Sequence, residues 1–147
     1  MNTTPDISYH LTIDVVLKIH AEATARFGGL DFVREMSLLE STMEALHSTF
    51  TDQLPSMDVI EMGAAYLFYM SKNHLFVDGN KRTALGSCIT FLRLNGIQTA
   101  PDSPEWERLV KAVAASKMNR SEATRALRGL ISSDSSSAIP MEFAEAV

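Results

Sequence analysis

Two stretches near the middle of the chain, Met62–Ser71 and Thr83–Leu92, carry no charged residue. Neither alternates polar and apolar positions with a period of two, so neither reads as a half-buried strand. A helix that is apolar or small on every side has no face to offer water and must be covered on most of them. The sequence therefore predicts two core helices, the first ending just before His74 and the second running from about Asn80 to Asn95, with Gly96 as its stop.

The remaining segments read as shorter, amphipathic helices around that pair. Thr12 is placed to cap a first helix in which Ile13, Val16, Leu17, His20 and Thr24 recur at helical spacing before Gly28-Gly29 ends it. Ser37-Leu38-Leu39-Glu40 predicts a capping box for a second helix reaching about Phe50, and Ser56 a cap for the third. Ser103-Pro104 opens a fifth, with Trp106, Leu109, Val110 and Val113 facing inward. Asn119 with Glu122 opens a sixth to about Leu130. The expected fold is all-α, a compact single-domain bundle of about six helices over residues 1–131. The serine run Ser132–Ser137 marks the start of an expected flexible tail, 132–147.

Composition narrows the class. At 147 residues the chain is long enough for one self-sufficient core. A net charge of −5 disfavours sequence-blind binding to nucleic acid, which needs a basic face. Mean hydropathy near zero (+0.01) and the lack of a long uncharged run argue against a membrane span. The start lacks a basic, then apolar, leader, and Cys88 is the lone cysteine, so the expected setting is the cytoplasm. There is no His-x-Glu or Cys-x-x-Cys spacing to suggest zinc.

Chemistry concentrates between the two uncharged helices, in His74-Leu75-Phe76-Val77-Asp78-Gly79-Asn80-Lys81-Arg82-Thr83-Ala84. A loop that opens a helix presents unpaired N–H groups and the positive end of the helix dipole. Gly79 frees the backbone for the turn, and Lys81 and Arg82 add two full charges. First-turn cations are unfavourable unless an anion sits there, so this misfit points to phosphate. Asp78 offers a hard oxygen for Mg2+, and a histidine such as His74 suits proton removal from a hydroxyl. Asn80 is compatible with capping the helix or orienting a phosphate. Phe76, two residues from His74 and so on its side of an extended segment, reads as a buried anchor. His10, His20 and His47 stand apart and read as surface or satisfied core residues; Cys88 and Trp106 read as packing.

The stretch resembles the Fic/Doc family. It fits the Doc form, H-x-F-x-[DN]-[AG]-N-K-R-T-A, at every specified position. Arg26-Phe27-Gly28-Gly29, Leu38-Leu39-Glu40-Ser41 and Phe91-Leu92-Arg93-Leu94-Asn95-Gly96 extend the likeness over roughly residues 10 to 130. The resemblance implies a short flap between the first two helices that helps hold a target segment. It also implies an enzyme using ATP and Mg2+. His74 would be general base, with Lys81 and Arg82 stabilising charge on the phosphoryl oxygens. Gly79, Asn80, Lys81 and Arg82 would hold the nucleotide and Asp78 the metal.

Fic-type members transfer AMP and carry a second glycine and a second arginine in the motif; here those positions hold Lys81 and Leu85. The Doc-like pattern implies transfer of the γ-phosphate to a hydroxyl, with translation elongation factor Tu as the target. No [ST]-x-x-x-E-[GN] inhibitory helix is present, so restraint falls to a separate antitoxin protein. Two other readings stay open on the sequence: an AMP (nucleotidyl) transferase, and a non-catalytic helical binding module.

Overall fold

The computed structural model of the chain describes residues 9–53, 57–99 and 103–138. Among them lie α1 (Ile13–Phe27), α2 (Met36–Gln53), α3 (Val59–Lys72), α4 (Asn80–Leu94), α5 (Pro104–Ala114) and α6 (Arg120–Ala138). The described residues hold no strand, only an isolated antiparallel bridge between Val33 and Phe76. The expected all-α bundle is what forms.

The helices that hold the two uncharged stretches, α3 and α4, make the most extensive contact among the described elements, and α1, α2, α5 and α6 pack around them. Small residues set the closeness of that packing. A Cβ on Gly63 would come within 2.9 Å of Leu92 across the α3–α4 contact, and one on Gly86 within 2.8 Å of Ile19 across α4–α1. Both approach distances are shorter than real side chains tolerate, so glycine is what lets the helices meet. Met62, Ala64, Ala65, Tyr66, Leu67 and Phe91 are fully buried there, and Trp106 seals the α5 side with Leu109, Val110 and Val113. Each buried aliphatic side chain contributes roughly 1.5–3 kcal/mol of transfer free energy, which is what holds two helices without a wet face in place.

Caps decide where the helices begin. The Thr12 hydroxyl accepts the Val15 N–H, as expected. Asn119 and Glu122 form a reciprocal box at α6, 2.8 and 2.9 Å. Two expected caps are replaced. α3 is capped by Asp58, whose carboxylate accepts the Glu61 N–H at 2.8 Å while Glu61 accepts the Asp58 N–H at 3.0 Å. The expected cap Ser56 lies outside the described residues; the Asp58–Glu61 box starts the helix later because it satisfies two donors at once. α2 starts at Met36, with the Glu35 carbonyl accepting from Leu38 and Leu39, which leaves Ser37 inside the first turn. α6 continues to Ala138, well past the expected stop near Leu130. The serine run carries neither glycine nor proline, so nothing in it breaks the ladder; residues from 139 on lie outside the described set.

Three connections lock the ends of this framework together. The Tyr66 hydroxyl accepts the Leu11 N–H at 3.1 Å, and burial pushes that hydroxyl up to about 12. Asn95 pairs with both backbone groups of Tyr9, at 3.2 and 2.9 Å. The segment after Gly28-Gly29 runs extended beside the loop that precedes α4. There Arg34 N–H donates to the Leu75 carbonyl at 2.9 Å and Val77 N–H to the Phe32 carbonyl at 3.0 Å. This is the expected flap, pinned to the motif by backbone pairing.

If Asp58 and not an upstream serine nucleates α3, Asp58→Ala should lower the free energy of unfolding by about 1 kcal/mol. Ser37→Ala, inside the first turn of α2, should stay within about 0.5 kcal/mol. Urea denaturation of the two variants checks the pair.

Candidate active site

The motif loop is built on a buried strut and a side-chain clamp. Leu75 and Phe76 are buried. Asn80, the first residue of α4, reaches back four positions: its Oδ1 accepts the Phe76 N–H at 2.9 Å and its Nδ2 donates to the Phe76 carbonyl at 2.8 Å. Both ends of the amide take part in closing the loop, and what Asn80 keeps for an anion is its backbone N–H and its second Nδ2–H. Gly79 sits at the N-cap with φ +79°, in the left-handed region that favours glycine, and brings no side chain to cap the helix.

The start of α4 is consequently open. Thr83 N–H returns to the Gly79 carbonyl at 2.9 Å, and the first turn contains no acid and no side-chain cap. The N–H groups of Asn80, Lys81 and Arg82 precede that first intrahelical bond. Beside them lies a cavity of about 510 Å³ lined by His74, Asp78, Gly79, Asn80 and Lys81 together with Lys111 of α5. Neither lysine side chain makes a hydrogen bond or ion pair among the described residues. The local field is positive although the chain is acidic.

Five of the six expected residues therefore share one cavity. The Arg82 side chain does not: its guanidinium lies 3.6 Å from the centroid of the Phe27 ring. It borders a second cavity of about 240 Å³ between α1, α4 and α5, where Trp106 and Leu85 also stand. Successive helical residues diverge by about 100°, so two adjacent cations cannot face the same way. Lys81 borders both cavities.

His74 is exposed, with φ +50°, an uncommon conformation for a side chain with a Cβ. That turn breaks the alternation predicted for the segment. His74 faces out while Phe76 is buried, and the two do not share a side. The His74 ring has no hydrogen-bond partner among the described residues. Asp78 is held by the flap: its Oδ2 accepts the Leu30 N–H at 2.8 Å, and its Oδ1 makes no hydrogen bond among the described residues.

The other titratable groups separate cleanly. His10 and His47 lie 4.6 Å apart, ring to ring, near Phe91 and away from the loop. Burial first, and then the charge of His47, hold His10 below the usual imidazole range. Burial pushes the Cys88 thiol up to about 12, which excludes it as a nucleophile at neutral pH. His20 is fully buried beneath the Phe76 ring, with centroids 3.8 Å apart. Among the described residues no group of three or more His, Cys, Asp or Glu could by itself enclose a metal ion. Two contributors escaped the sequence reading. Lys111 looked like any lysine on the wet face of an amphipathic helix, and His20 looked like one more core position at helical spacing.

The model of the Fic/DOC family matches residues 10–92. The chain is 32% identical over 124 residues to a protein named "Protein kinase doc" from Escherichia phage P1, covering 84% of this chain and 97% of that one. It is 40% identical over 78 residues to "Toxin Doc" of Mycolicibacterium smegmatis, covering 52% of this chain and 58% of that protein.

Two glycines beside Asp78 separate strain from collision. A Cβ on Gly79 would meet His20 and Thr24 at 3.5 Å, ordinary contact, so Gly79→Ala should cost only its left-handed backbone, about 1 kcal/mol. Gly29 has φ +108°, and a Cβ there would come within 2.9 Å of the Asp78 Cβ. Gly29→Ala should cost more, about 3 kcal/mol, through strain and displacement together. Denaturant titration should rank them in that order.

Proposed function

Because the chain belongs to the Fic/DOC family, we propose that it is a Doc-like toxin that transfers the γ-phosphate of ATP to a hydroxyl group of a target protein. The observation that carries this reading is the open, acid-free start of α4, with Lys81 and Lys111 around one cavity and His74 and Asp78 on its wall. An unfavourable concentration of positive charge at a helix N-terminus is relieved by a polyphosphate and by little else of that size.

The residues divide the work as follows. The backbone N–H groups of Gly79, Asn80 and Lys81 form the anion nest at the helix start. Lys81 stabilises charge that grows on the transferring phosphoryl oxygens, with Lys111 adding to the same field. Arg82 contributes its backbone N–H at the start of α4, while its guanidinium lies on Phe27. His74 takes the proton from the target hydroxyl. The freed oxygen attacks the γ-phosphorus, the bond to the bridging oxygen breaks, and ADP leaves. Its solvent exposure leaves room for an acceptor to approach.

Mg2+ fits the donor set. It needs only one or two protein oxygens when phosphates and water complete its octahedron, and Asp78 has Oδ1 uncommitted while Oδ2 is anchored to the flap. When bound, the ion would neutralise charge on the phosphates, with Asp78 holding it. The residue pattern that favours phosphoryl over AMP transfer is Lys81 and Leu85 in place of the second glycine and arginine, and the printed name of the phage relative supports it.

Translation elongation factor Tu is the proposed target, with arrest of protein synthesis as the outcome. A separate antitoxin is the proposed restraint, acting as a segment that folds onto the toxin. No described helix is long and apolar enough to cross a membrane. The proposed target and ATP place the activity in the cytoplasm.

Purified chain incubated with Mg2+, a bacterial lysate and ATP labelled at the γ-phosphate should label a protein band, and ATP labelled at the α-phosphate should not. Label from the α position alone would mean AMP transfer instead. His74→Ala should cut the rate about 10²–10⁴-fold with little change in unfolding, since the residue is exposed. A variant that labels at the original rate removes His74 from the role of base.

A further inference from the structure

One buried side chain links three separate segments of the site. His20 is on α1 and fully buried. Its Nε2–H donates to the Asp78 carbonyl at 2.7 Å, and its Nδ1 lies 3.0 Å from Oδ1 of Asp31 in the flap. Its ring lies within 12° of parallel to Phe76 in the motif loop. Asp78 is thus held at both ends, its carbonyl by His20 and its carboxylate by the Leu30 N–H. Leu30 and Asp31 are neighbours in the chain. The contacts close a ring: Asp78 to His20, His20 to Asp31, Asp31 along the flap to Leu30, and Leu30 back to Asp78.

Packing alone does not account for this residue. Filling the space between α1 and Phe76 needs only an apolar side chain of similar size. Burying an imidazole costs free energy unless its polar atoms are matched. Here Nε2–H faces the Asp78 carbonyl and Nδ1 the Asp31 carboxylate, and the two partners belong to different segments, the motif loop on the cavity wall and the flap behind it. A side chain that must present an oxygen to a metal–phosphate complex has to be held to within about 0.5 Å. On the wall of the cavity, Asp78 is the residue that this ring of contacts holds.

We propose that His20 is a positioning residue: by bonding the Asp78 backbone and the flap Asp31 at once, it fixes the direction in which the Asp78 carboxylate faces the cavity. The role assigned to Asp78 rests on the phosphoryl-transfer reading of the site; the linkage of flap to loop does not.

Full-length His20→Leu, which keeps bulk and removes both bonds, and His20→Gln, which keeps a donor able to reach the Asp78 carbonyl, separate positioning from packing. Two quantities are read. One is amide hydrogen exchange at Leu30 in the nucleotide-free protein. The other is the Mg2+ concentration for half-maximal ATP-dependent labelling, with kcat. In His20→Leu, exchange at Leu30 should quicken at least about 10-fold, and the Mg2+ requirement should rise about 10–100-fold. His20→Gln should recover most of both. Unchanged values in His20→Leu, or a glutamine variant as impaired as the leucine one, overturn the proposal. Should His20→Leu not fold, Asp31→Ala removes the exposed flap contact without touching the core. Faster exchange at Leu30 then supports the linkage and unchanged exchange overturns it. If the unmodified chain shows no Mg2+-dependent labelling, the functional reading fails, and exchange at Leu30 alone decides the role of His20.

Discussion

A tight turn between two helices keeps one shape only if something closes its backbone, and in this molecule a single amide does so. Asn80 spends both its donor and its acceptor on Phe76, converting five residues into a closed unit whose shape no longer depends on solvent. Phe76 then plugs that unit into the core, and the flap pairs with it on the other side through Val33. The path of the backbone from Phe76 to Asn80 follows from this closure. The α3–α4 hairpin supplies rigidity, and the clamp transmits it to the loop.

The same closure creates the site's chemistry by omission. A helix start would ordinarily recruit a serine, threonine, asparagine or aspartate side chain to its first N–H groups. Asn80 is one residue too late for that and is engaged elsewhere, and Gly79 has nothing to offer. The donors of the first turn stay available, and the next two residues are cations in place of the acids that would quiet them. Compare α3 and α6, where Asp58 with Glu61 and Asn119 with Glu122 each satisfy two donors by a reciprocal box. One chain caps two of its helices with reciprocal boxes and leaves the one beside His74 bare. Local stability is given up where a ligand would restore it.

What could be read from sequence, and what could not, divides along physical lines. The uncharged runs announced α3 and α4 because several helical turns without a charge have no side to turn toward water. The loop was legible because its residue types sit within a few positions of one another. Lys111 and His20 were not legible, because their relevance comes from neighbours far away in the chain, and a lone lysine or core histidine carries no mark of its tertiary surroundings. Arg82 shows the opposite error. Adjacency in sequence suggests shared purpose with Lys81, while helical geometry turns its side chain onto Phe27. The caps differ from expectation at Ser37 and Ser56 because several polar residues compete there and the winner is set by which reciprocal bond closes.

His74 and Asp78 show two ways of holding a reactive group. Asp78 is fixed by bonds at both its carbonyl and its carboxylate, and its freedom is small. His74 is fixed only by its backbone: Leu75, buried on one side, and Asn73, the C-cap of α3 whose N–H bonds to Tyr69, on the other. Between them the chain turns through φ +50°, at a cost that a side chain with a Cβ rarely accepts. The turn lifts the imidazole out of the core that claims both of its neighbours' surroundings. Without the positive φ, continued alternation would return the ring to the Phe76 side, where His20 already fills the space. A base that must meet a hydroxyl on another macromolecule cannot be buried, and a ligand for a small hard cation cannot be loose. The roles proposed for His74 and Asp78 set these opposite demands within five residues, and the turn at His74 and the bonds to Asp78 would meet them separately.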